Sequence, residues 1–181
     1  MSACIALIRG INVGRANRVA MSDLRDLIAE LGHTNVRTLL NSGNVLFQSE
    51  RASGVAKIGA EIEAAIAATC GFSAAVTVIT AQDLGRIVDE NPLLHAVDDH
   101  ARHLVAFVTH PNHLEVLRPM LAQSWKPDAL AITERTAYLW CSTGILDSKL
   151  LKTFSRMAGA TVTTRNWATV LKLQAAAKER P

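Results

Sequence analysis

Aromatic side chains are scarce in this chain, 4% of its residues, and cysteine occurs only three times. Cys4, Cys70 and Cys141 are odd in number, far apart and each set in an apolar segment. That pattern argues against a disulfide framework or a thiolate metal site, and for buried, reduced thiols in a cytosolic protein. No apolar run approaches the roughly 20 residues that cross a bilayer, and the run after Met1 is too short for the core of a signal peptide, so no membrane is expected. The common catalytic signatures are missing too: there is no Gly-Lys-Ser/Thr phosphate loop, no G-x-G-x-x-G, no G-x-S-x-G and no H-E-x-x-H. His100 and His103, then His110 and His113, repeat a spacing of three. Without a zinc signature they read as a solvated linker, so neither a metal nor a cofactor is expected. Disorder is excluded by a hydrophobic content of 49% against 19% charged residues.

What is present is a charge-biased loop. Arg9-Gly10-Ile11-Asn12-Val13-Gly14-Arg15-Ala16-Asn17-Arg18 follows an apolar strand and precedes an amphipathic helix. It holds two glycines, two asparagines and three arginines, with no acid. Glycine lets a backbone take positive φ and approach a ligand closely. Exposed N–H groups beside arginines form a cradle suited to an anion. A long connection also needs glycine and asparagine for its turns whatever it binds, and the composition alone does not separate the two readings. The overall charge of +3 is small but uneven. The C-terminal stretch from Lys149 to Arg180 is basic, with Glu179 as its one acid, and the acids gather in the middle of the chain.

In order, residues 3–8 read as a strand. Leu24, Leu27, Ile28 and Leu31 follow helical spacing to Gly32. Residues 36–40 and 45–48 form a hairpin around Asn41-Ser42-Gly43-Asn44. A helix carries Val55, Ile58, Ile62 and Ile66, and residues 75–79 make a further strand. A helix opened by Thr80 and Asp83 trails this set and stops at Asn91-Pro92. After a polar linker at Asp98-Asp99-His100 the same order returns. Residues 104–108 are a strand, and a helix begins at Pro111 with Leu114, Leu117 and Leu121 on its apolar face. A hairpin spans 129–141, Asp147 caps a helix bearing Leu150, Phe154 and Met157, and a short strand covers 161–163. The closing helix places Trp167, Val170 and Leu171 inward. The expectation is an α+β protein of two ferredoxin-like subdomains (β-α-β-β-α-β, α/β plaits with antiparallel sheets), residues 1–97 and 98–181, each followed by an extra helix.

Within this order, Ser148-Lys149 and Arg165-Asn166 are expected at two helix starts, where a cation opposes the helix dipole unless an anion is near. Surface charge explains the same residues without a ligand. Ser42 and Asn44 belong to a turn whose composition the hairpin itself accounts for. They enter the site only through their place at the same sheet end as other polar loops.

The run Leu7-Ile8-Arg9-Gly10-Ile11-Asn12-Val13-Gly14, with Asn17 and Met21-x-x-Leu24, closely resembles a bacterial family of unknown function, the DUF 1697 family. The resemblance continues through Val36-Arg37-Thr38, Asn41-Ser42-Gly43-Asn44-Val45, Asn91-Pro92-Leu93, Ser148-Lys149-Leu150 and Thr164-Arg165-Asn166-Trp167. It implies two plait subdomains and no assigned activity. Arg15-Ala16, Asn41 and Ala168 depart from the residues usual in that family. The expectation is therefore a cytosolic protein that binds a small anion, a nucleotide or phosphorylated metabolite, between its subdomains. Arg9, Asn12, Gly14, Arg15, Asn17, Ser42, Asn44, Ser148, Lys149, Arg165 and Asn166 are the candidate contacts. A nucleic-acid module is the alternative, weakened because the first strand has no aromatic residue and the third only Phe47. A scaffold or dimerisation protein is a third reading. No constellation names a reaction, and nothing in the sequence sets the oligomeric state.

Overall fold

The computed structural model describes residues 1–51, 54–94 and 99–179. Asp98 of the expected linker, the subdomain boundary at 97/98 and Arg180 of the basic C-terminal stretch lie outside the described residues. The chain forms two compact units, residues 1–84 with 173–181, and residues 85–172. Each holds a four-stranded antiparallel sheet.

The first unit runs β1 (Ser2–Ile8), α1 (Met21–Glu30), β2 (Thr34–Leu39), β3 (Asn44–Ser49), α2 (Val55–Cys70) and β4 (Val76–Thr80); α3 (Ala81–Asp89) follows, and its residues from Gly85 on belong to the second unit. Its strands lie in the order β2-β3-β1-β4. Alternation along β1 sends Cys4, Ala6 and Ile8 toward the helices, where they meet Leu24, Leu27 and Ile28 of α1 and Ile58, Ile62 and Ile66 of α2. Each fully buried side chain of this size stabilises the fold by about 1.5–3 kcal/mol. Gly59 lets α2 lie directly on β4, since a Cβ there would stand 3.0 Å from the Val76 carbonyl oxygen. Thr80 Oγ accepts from the Asp83 N–H at 3.0 Å and donates to the Asp83 carboxylate at 2.7 Å, the expected opening of α3.

The second unit runs β5 (His103–Val108), a 3-10 helix (Pro111–Ala122), β6 (Ala129–Ile132), β7 (Thr136–Trp140), α4 (Lys149–Ala158) and β8 (Val162–Asn166); α5 (Trp167–Lys178) follows, and its residues from Leu173 on belong to the first unit. The strand order is β6-β7-β5-β8. Leu104, Ala106, Ala137 and Leu139 pack on Leu114, Leu117 and Met120 and on Leu150, Phe154 and Ala158.

Three local expectations give way here. The segment opened by Pro111 winds as a 3-10 helix, so the buried residues repeat every three: Leu114, Leu117 and Met120, with Leu121 left 47% exposed. Pro119 inside the segment cannot donate the bond an α-helix requires, whereas a three-residue period stacks these side chains on one face. Ser148, not Asp147, caps α4, its Oγ accepting from Leu151 N–H at 3.0 Å. And β8 continues through Asn166, so Arg165 stands on a strand opposite Val105 rather than at a helix start.

Candidate functional site

Three connections of the first unit gather at one end of its sheet: the loop after β1, the β2–β3 turn and the entry to β4. Ile8 N–H donates to Gly43 O at 2.8 Å and Arg9 N–H to Ala75 O at 2.9 Å, tying all three together. Gly10, Asn12, Gly14 and Asn17 all take positive φ, between 52° and 71°. These are the residue types for which that region is least costly, so the sequence of the loop dictates its path.

The asparagines are used by the loop itself. Asn12 Nδ2 donates to Val19 O at 2.9 Å and to Asn41 O at 3.1 Å, and its Oδ1 accepts from Val19 N–H at 3.0 Å. The main chain of Asn12 bonds to Asn17 O at 3.0 Å, and Asn17 Nδ2 reaches Gly10 O at 3.4 Å. Buried Asn44 donates to Leu39 O and Ser42 Oγ, both at 3.0 Å, and so shapes the hairpin turn. Gly43 has φ +74°, and a Cβ there would meet Ile8 O at 2.8 Å and the buried Ile11 side chain at 3.0 Å. Only glycine admits this contact.

With the backbone held this way, Arg9, Arg15 and Arg18 are left exposed on the outside of the loop. An open cleft is lined by Arg18 together with Asn12, Val19, Ala20, Met21 and Asn41. It reaches the start of α1, whose N-cap residue, Ala20, supplies no side-chain acceptor. Of the candidate set only Asn12 lines this cleft; Arg18, Val19, Ala20, Met21 and Asn41 were not in it, and Arg18 and Asn41 are the polar side chains among them. Arg18 and Asn41 lie in segments that the charge and turn patterns had already singled out.

The candidates of the second unit are built differently. Ser148 is buried, and besides capping α4 it donates to Asp128 at 2.7 Å; the other oxygen of Asp128 accepts from the main-chain N–H and hydroxyl of Ser142, both at 2.9 Å. Lys149 is exposed one residue further on. Asn166 Oδ1 accepts from Thr169 N–H at 2.9 Å and caps α5. Arg165 is half-buried and donates to Thr164 O at 2.8 Å; burial lowers its pKa to about 10. Trp167 is buried and stacks on the ring of His103 at 5.1 Å, which fits the core role expected for it. The Cys4 and Cys141 thiols are buried and free, and burial raises both pKa values, that of Cys4 to about 11, which makes both poor nucleophiles.

Comparison with known proteins places this architecture. Residues 1–138 match the sequence model of a family described as "Protein of unknown function (DUF1697)". No curated protein matches the chain. The solved structure of the conserved bacterial protein SP0830 from Streptococcus pneumoniae is similar, with a TM-score of 0.78 and 25% identity over 98% of this chain and 99% of that one. No helix among the described residues is long and apolar enough to cross a membrane.

Proposed function

We propose that this chain, which belongs to the DUF1697 family of proteins of unknown function, binds a small anion, a nucleotide or phosphorylated metabolite, at the loop end of its first sheet. One observation carries the reading: three arginines stand exposed on a loop whose asparagines are committed to its backbone, and one of them, Arg18, lines an open cleft. Such a loop presents its charge without reorganising, and guanidinium groups suit the bidentate geometry of phosphate and carboxylate. The roles of the first-unit candidates, with Arg18 added to them, divide accordingly. Arg9, Arg15 and Arg18 contact the ligand, while Asn12, Asn17, Ser42 and Asn44 hold the loop and turn.

The same reading treats each unit as a ferredoxin-like plait. Support comes from the strand orders β2-β3-β1-β4 and β6-β7-β5-β8, with every neighbouring pair antiparallel. A cytosolic setting belongs to it as well, supported by three free cysteines. No reaction is assigned.

Thermal-shift titration with phosphate, sugar phosphates, nucleotides, carboxylates and oligonucleotides tests the site. A ligand at a hundred times its dissociation constant adds about 2.7 kcal/mol to stability. A saturable shift from a small anion, lost in Arg18→Ala, supports the site. Stabilisation by oligonucleotides alone, fading with salt, replaces it with a nucleic-acid interface. No shift from any of them leaves a scaffold role.

A further inference from the structure

The end of α5 belongs to the first unit, and Arg37 of β2 fastens it to that unit's sheet. One terminal nitrogen of Arg37 donates to Ala176 O at 2.8 Å, and the other pairs with the Glu179 carboxylate at 3.3 Å. Ala176 lies in the last turn of α5, where carbonyls outnumber helical donors. The same residues border a cavity of about 170 Å³, whose walls include Ala3, Arg37, Leu46, Gln48, Ala177 and Glu179. Strand register brings the first four together. Ala3 pairs with Gln48 and Arg37 with Leu46, and Leu46 and Gln48 are two apart on β3, so all four share one face of the sheet. Cys4 and Phe47, their sequence neighbours, pack in the core on the other face. Ala3 lies at the start of β1, so the cavity is at the opposite sheet end from the arginine loop, which leaves after Ile8.

We infer that this cavity takes a small monocarboxylic acid with an apolar body no larger than a benzene ring, its carboxylate replacing that of Glu179 on Arg37. The site is separate from the anion-binding loop and does not depend on it. A cavity of about 150 Å³ admits benzene, so the space suits such a body and is too small for a nucleotide. Ala3, Leu46 and Ala177 offer that body apolar contact. The guanidinium fork matches a carboxylate, and here it already holds one. That resident is loosely kept: the Arg37 and Glu179 side chains are 45% and 67% exposed, a setting in which an ion pair contributes little. An entering acid exchanges one carboxylate for another and adds the burial of its apolar body. Gln48 is half-buried, its side chain makes no hydrogen bond among the described residues, and its amide can donate to the acid's second oxygen. Glu179 stays close after displacement, which disfavours a ligand with a second negative charge.

The test is calorimetric titration of the full chain with benzoate and isovalerate, each against its uncharged amide, benzamide or isovaleramide. Each acid is expected to bind about tenfold more tightly than its amide. Glu179→Gln removes the competing carboxylate at an exposed position, so it keeps the fold and is expected to tighten both acids about threefold. Arg37→Gln should bring each acid down to the level of its amide. Ala177→Leu keeps a strong helix former and fills the cavity, so it should abolish binding while the unfolding temperature stays at or above the parent's. Equal affinity for acid and amide, or binding that Glu179→Gln fails to tighten, overturns the inference. So does binding that survives Ala177→Leu and is lost in Arg18→Ala, which assigns the acid to the loop. Absence of binding by either acid, in the parent and in Glu179→Gln alike, overturns it as well and leaves the anion site standing.

Discussion

The side-chain amide of Asn12 pairs with the peptide of Val19 in both directions, Nδ2 to Val19 O at 2.9 Å and Val19 N–H to Oδ1 at 3.0 Å. A side chain here takes the part of a strand partner and closes the loop onto itself. Everything the loop presents outward depends on this closure and on the Asn41 tether.

Asn12→Ala therefore removes three hydrogen bonds and leaves a β-carbon residue at φ +56°. The expected loss of unfolding free energy is about 2–4 kcal/mol in denaturant titration. Asn12→Gly restores the backbone and is expected to recover part of it. In both variants the Val19 amide should exchange its hydrogen faster than in the parent.

Gly43→Ala tests the close approach of the turn to β1. The added methyl meets a main-chain oxygen at 2.8 Å and must also hold φ +74°. A loss of about 2–4 kcal/mol is expected, larger than for an exposed turn glycine, because the opposing atom is backbone and cannot swing away. Unfolding at the parent's midpoint would show that the turn rearranges freely.

Met120 and Leu121 distinguish the three-residue period from the helical one. Met120→Ala is expected to cost about 2–5 kcal/mol, as for other buried large-to-small changes, while Leu121→Ser should stay within about 0.5 kcal/mol. The reverse ranking would restore the α-helical face that places Leu121 inward.

His103 gives the fold a pH dependence. Its ring is buried between Trp167 and Tyr138, Nδ1 has no hydrogen-bond partner, and burial, with the charge of His100 adding to it, lowers its pKa from 6.5 to about 4. The unfolded chain then binds the proton more readily than the folded one. Stability is complete above about pH 6.5, falls as the pH drops toward about 4, and levels off below; the loss approaches about 3 kcal/mol. His103→Phe keeps the stacking and removes the titration. Its unfolding free energy, measured from pH 7 to pH 4, should decline less than the parent's by about that amount.

Much of this molecule is legible from local pattern. Leu24, Leu27 and Ile28 mark one helix face and Ile58, Ile62 and Ile66 another, because burial on a 3.6-residue period leaves a direct trace in sequence. The basic loop is legible in the same way, since its glycines, asparagines and arginines are consecutive. Where the readings missed, a longer-range fact decided. Leu117 and Leu121 fit a helical period as well as Leu117 and Met120 fit a three-residue one, and packing against α4 and the sheet selects the second. Arg165 has the look of a helix start until β5 takes it as the end of a strand. The division between contact and support within the loop is also tertiary. Nothing in the order of residues says that the Asn12 amide is used by Val19 and Asn41, because Asn41 is 29 residues distant. Residue type alone determined which backbone conformations the loop can adopt and how much charge it carries. Which side chains that charge leaves facing outward was decided only when the β2–β3 turn closed against β1 and consumed the polar groups between them.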